Sequence, residues 1–79
     1  MQTQRNDVAL DDARTDAAIL HLLVDEPGLW SDDEVAREIG RELAVTDALA
    51  RLCGHGLVHR LDGYVFPTRA AVEFARVDW

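Results

Sequence analysis

Residues 30–67, WSDDEVAREIGRELAVTDALARLCGHGLVHRLDGYVFP, constrain the fold more than any other part of the chain. Ser31 suits an N-cap, and Glu34 three residues on completes a capping box. Trp30 before the cap and Val35 after the box take the two positions of a hydrophobic staple. Val35, Ala36 and Ile39 then give a buried helical stripe, and Gly40 supplies a residue able to end the helix left-handed. Asp32, Asp33 and Glu34 set negative charge where the helix dipole is positive.

A further helix is predicted from Glu42 or Leu43 to Gly54. Val45, Leu49 and Leu52 recur at intervals of about four and three, with Ala48 beside them, and form its inner stripe. Gly54 and Gly56 bracket His55 and stop it. Strands are predicted at 57–61 and 64–66, joined through Asp62 and Gly63. An Asp-Gly pair between β-rich runs favours a hairpin, because the tight turn needs positive φ at both positions. Leu29 and Trp30 can add a third short strand alongside.

Outside this segment the signals are weaker. Residues 1–10 are polar and lack a period, so they are expected to form a flexible N-terminal segment ahead of a single domain at 11–79. The first helix is predicted to start near Asp11 or Thr15 and to end before Pro27 and Gly28. Ile19, Leu22 and Leu23 should face the core, with Leu20 and Val24 largely on the other side. A helix apolar on more than one stripe points to a partner, or to cover by the N-terminal segment or the last helix. Pro67 ends the sheet and Thr68 can cap a final helix, with Ala70, Ala71, Phe74 and Val77 along one side. Trp79 is expected to fold back onto the body or to meet another chain.

The chain has 79 residues, enough for one small core at 48% hydrophobic content. No apolar run approaches the roughly 20 residues of a membrane span, and the N-terminus lacks a secretory pattern. One cysteine excludes an internal disulfide. These features place the expected setting in the cytoplasm. The net charge is −7. Residues 1–40 carry Arg5, Arg14 and Arg37 against ten acids, whereas residues 41–79 balance five arginines with five acids. The second half is therefore relieved of acid without being basic. Every cation is arginine, which suits bidentate contact with phosphate, guanine or carboxylate, although GC-rich coding gives the same bias.

The run LAVTDALARLCGHGLV resembles the recognition helix of the MarR family and related bacterial repressors. A β-branched residue, two leucine-like positions and a closing Gly-Leu-Val fall at Val45, Leu49, Leu52 and Gly56, Leu57, Val58. The resemblance covers roughly residues 18–74. It implies a winged helix-turn-helix fold: mainly α with a small β-hairpin wing, an α+β class. Its order would be helix, short strand, helix, helix, two hairpin strands and a last helix. The family's long dimerisation helices have no counterpart in 79 residues. The resemblance also implies that Glu42, Leu43, Ala44, Thr46, Asp47, Ala50 and Arg51 face the major groove. Arg41, Thr46 and Arg51 would then contact DNA, with Arg60 and Tyr64 contributing from the wing. Asp47 departs from the basic or amide residue expected there, and Leu43 and Ala44 replace small hydroxylated residues. The wing tip is Asp62 and Gly63 where arginine or lysine is usual.

Two further points weigh on function. A helix N-terminus like that after Ser31 commonly meets phosphate, yet Asp32, Asp33 and Glu34 fill it. Each charge about 6 Å from a phosphate costs about 0.7 kcal/mol in bulk water. Cys53, His55 and His59 have ligand chemistry, but C-x-H-x3-H crosses a helix end and lacks a fourth ligand. A buried thiol and two surface or half-buried histidines account for them, and His21 reads as an interface or edge residue and not as a catalytic base. Asp11, Asp12 and Asp16, like the acids after Ser31, are ordinary helix-start residues. No phosphate loop or activated nucleophile occurs, so the chain is read as neither an enzyme nor a cofactor or metal protein. The leading expectation is a DNA-binding transcription regulator acting as a dimer or on a protein partner. Its alternative is a winged-helix protein-interaction module with weak or no DNA binding. An acidic DNA mimic is a third option.

Overall fold

The computed structural model describes residues 2–78, with side chains described over 11–75. Its elements run α1 (Gln2–Asp25), β1 (Trp30–Ser31), α2 (Asp32–Ile39), α3 (Glu42–Gly54), β2 (Val58–Leu61), β3 (Tyr64–Pro67) and α4 (Arg69–Asp78). The architecture is mainly helical with one three-stranded antiparallel sheet, an α+β arrangement in strand order β1-β3-β2.

Local chemistry sets most boundaries. The Ser31 hydroxyl accepts the Glu34 backbone N–H at 3.2 Å, while the Ser31 N–H donates to the Glu34 carboxylate at 3.0 Å. Both halves of the predicted capping box are thus formed. Gly40 ends α2 in the left-handed region at φ 88°, its N–H donating to the Ala36 carbonyl. At the end of α3 the Leu57 N–H donates to the Leu52 carbonyl and the Gly56 N–H to that of Cys53. Gly56 takes the left-handed position, so the stop is a Schellman motif with Gly54 still inside the helix.

The hairpin closes through Asp62 at φ 55° and Gly63 at φ 83°, the two positive values a type I′ turn requires. This pairs Leu61 with Tyr64, Arg60 with Val65 and Val58 with Pro67. Strand β1 lies on the other side of β3, pairing Trp30 with Val65. It occupies Trp30 and Ser31, one residue later than predicted, because Leu29 stays outside the ladder and exposed. Thr68 fastens α4 to the turn before β2. Its N–H donates to the Leu57 carbonyl, its hydroxyl donates to Gly56 and accepts from the Ala71 N–H.

The core draws on every helix and on the sheet. Ile19, Leu23, Val35, Ala36, Val45, Ala48, Leu49, Leu52, Val58, Val65 and Ala71 are buried in one cluster, with Trp30, Ile39 and Leu57 packed at its margin. The predicted inner stripe of α3 is therefore the inner stripe. Burying this aliphatic set is the main favourable term, at about 1.5–3 kcal/mol per fully buried side chain.

Three expectations change. Helix α1 begins at Gln2, not at Asp11 or Thr15; no Gly or Pro interrupts residues 2–25, and the first strong breaker is Pro27. Leu20, expected on the far side of α1, is 4% exposed, whereas Leu22 is only half-buried. Helix α1 packs against α2, α3, α4 and β3, so more than one of its stripes is covered from within. In α4 the inward residues are Ala71 and Ala75, with Ala70 and Phe74 turned outward. Small side chains let α4 lie close to the body, and the Thr68 cap sets the phase. The side chain of Val77 and all of Trp79 lie outside the described residues.

Candidate functional site

The outer side of α3, together with the turn before it, is left uncovered by the core. Val45, Ala48, Leu49 and Leu52 point inward, which turns Glu42, Leu43, Thr46, Asp47 and Ala50 to solvent. Leu43 is 84% exposed. It lines an open groove with Gly40, Arg41, Glu42 and Ala44 at the head of the helix. An unburied leucine there contributes little to folding, which leaves it available to a partner.

The five residues singled out from sequence do not form one patch of free donors. The Thr46 hydroxyl donates to the Glu42 carbonyl one turn back at 3.0 Å, leaving its oxygen able to accept. Tyr64 is half-buried at the start of β3, opposite Leu61. The three arginines each meet a carboxylate of the same chain. Arg41 Nη2 stands 4.0 Å from Asp11 Oδ2, with both side chains about half exposed. Arg60 Nη2 stands 3.1 Å from Asp32 Oδ2, so β2 is joined to the first turn of α2.

Arg51 is held most firmly. Its Nη2 donates to Asp16 Oδ1 at 2.8 Å and its Nε to Asp16 Oδ2 at 3.4 Å, with Asp12 Oδ1 at 3.8 Å from the same Nη2. The guanidinium pKa is raised above its ordinary value, chiefly by the Asp16 hydrogen bond, with Asp16, Asp12 and Asp47 adding their fields against a desolvation cost. Placed in the groove-facing set from sequence, Arg51 instead turns toward α1.

Asp11, Asp12 and Asp16 are the residues that sequence reasoning undervalued. It assigned them to a helix start, but α1 begins well before them and they border the flank of α3. The four-residue spacing of Asp12 and Asp16 marks a shared helical face. Nothing in the sequence says which cation that face meets.

The remaining ligand-type side chains are dispersed. Cys53 is half-buried, and the His59 ring lies 5.5 Å from that of Phe66 across the hairpin. Among the described residues no group of three His, Cys, Asp or Glu side chains is arranged to hold a metal ion. Among them also, no helix is long and apolar enough to cross a membrane. Neither a family model, nor a curated protein, nor a solved structure matches the chain.

Proposed function

We propose that the chain is a winged helix-turn-helix module of a DNA-binding transcription regulator, working as a dimer or through a protein partner. One observation carries this reading: α3 buries one stripe completely and leaves its opposite face open. The type I′ hairpin follows as the wing. In such an arrangement α3 is the groove-entering helix, with Arg41 and Thr46 at its leading end and Arg60 and Tyr64 on the wing side. Arg51 positions α3 against α1 in preference to touching DNA.

Affinity of a single copy is low on this reading. Phosphate neutralisation supplies most non-specific binding, and the arginines here already face carboxylates. Exposed ion pairs are worth only about 0–1 kcal/mol each, so phosphate can displace them, but the gain per contact is small. Fluorescence anisotropy with random duplex DNA at low and moderate salt tests the reading. Binding should weaken with salt and fall further in an Arg41→Ala, Arg60→Ala double variant. Unchanged affinity in that variant removes the proposed face.

A second reading, a winged-helix module that binds protein, is favoured by Leu43, which stands 84% exposed at the leading turn of α3. On that reading Leu43→Ser abolishes self-association measured by light scattering, while DNA shifts nothing.

A further inference from the structure

We infer that Asp11 and Asp32 act as internal counter-anions that hold the DNA face shut, so that nucleic acid must displace them to bind. This rests on the DNA-binding reading and states how its site is regulated. The observation is a coincidence of two pairs. The arginine ahead of α3 and the arginine of the wing, the two cations of the proposed face, each face an aspartate, at 4.0 and 3.1 Å respectively. The aspartates come from two separate elements: α1 offers Asp11 to Arg41 ahead of α3, and the first turn of α2 offers Asp32 to Arg60 of β2.

A carboxylate and a phosphate oxygen make the same kind of charge-assisted bond with a guanidinium. An arginine engaged with its aspartate must therefore exchange one partner for the other before it can hold a phosphate. Counter-ions leave DNA only where an arginine takes their place on a phosphate, so an arginine that stays with its aspartate releases none and the salt dependence is shallow. Asp12 and Asp16 are excluded from this set. Both face Arg51, to which Asp16 is tied by two hydrogen bonds, so they position that residue instead.

The decisive experiment compares three proteins by anisotropy with random duplex DNA over a salt series. They are the natural chain, an Asp11→Asn, Asp32→Asn variant, and a Glu26→Gln, Glu73→Gln control with the same change in net charge. Both glutamates of the control are exposed, and circular dichroism verifies that each protein is folded. The aspartate variant should bind about fourfold more tightly than the natural chain, roughly twofold per released pair. Its log–log salt slope should steepen by about 0.9 per freed arginine, and the control should gain clearly less. Adding Arg41→Ala should erase the share of the gain that Asp11→Asn supplies. Equal gains in variant and control, or a gain indifferent to Arg41, overturn the counter-anion role while DNA binding itself stands. If neither the natural chain nor the aspartate variant binds duplex DNA at low salt, the DNA reading falls and this inference with it.

Discussion

The Arg51 guanidinium spans from α3 to the Asp16 carboxylate on α1, closing two hydrogen bonds of 2.8 and 3.4 Å at positions 35 residues apart in the chain. The two side chains are 33% and 26% exposed, so the pair is neither fully screened nor fully desolvated. Asp16→Ala and Arg51→Ala should each destabilise by about 1 kcal/mol, with a coupling energy of about 0.5–1 kcal/mol in a double-mutant cycle. Urea denaturation of the four proteins measures it. Strictly additive losses would show that the contact holds nothing together.

The capping box makes α2 sensitive to acid. The Glu34 pKa is lowered from its ordinary value, first by the Ser31 backbone N–H, then by the Ser31 side chain, with Arg37 adding less and desolvation opposing. A depressed carboxylate pKa contributes stability that is complete above the unfolded value. That contribution is lost as pH falls through the lowered folded value. Glu34→Gln should therefore be less stable than the natural chain at neutral pH, and the two should converge in acid. Ser31→Ala should cost about 1 kcal/mol at neutral pH. Thermal melts across the acid range decide the point; a constant gap would refute the linkage.

Two glycines should respond in opposite directions. Neither has an atom within 4 Å of where a Cβ would sit, so only backbone conformation matters. Gly63, at φ 83° in the hairpin turn, should lose about 1 kcal/mol on Gly63→Ala. Gly54 closes α3 without a positive φ, and Gly54→Ala should gain about 0.5 kcal/mol. Opposite shifts in melting temperature are the expected readout. A loss at both would mean that Gly54 also needs its freedom.

The two leucines of α3 separate folding from recognition. Leu49 is 0% exposed, and Leu49→Ala should cost about 3 kcal/mol from lost burial and the cavity left behind. Leu43→Ala, at an 84% exposed site, should change stability by less than about 0.5 kcal/mol. Chemical denaturation of both variants tests this contrast. A large loss at Leu43 would place it in packing that the structure does not contain.

Signals confined to neighbours in the chain were readable without coordinates. The capping box at Ser31 and Glu34, the left-handed stop at Gly40, the turn through Asp62 and Gly63 and the inner stripe of α3 all depend on contacts a few residues apart. Their chemistry is therefore written in consecutive letters. Helix phase was less legible where an element is apolar on several sides. The burial of Leu20 and the inward turn of Ala71 and Ala75 depend on which neighbours cover α1 and α4. The pairing of charge was not legible at all. Arg51 carries the same side chain whether it faces phosphate or Asp16, and only the packing of α1 along α3 brings the aspartates to it. Short-range hydrogen bonding and hydrophobic period settle the elements, because both act within one or two turns. The electrostatic state of the α3 surface belongs to the assembled fold, because a charge is matched by what lies within a few ångströms in space, however distant it is along the chain.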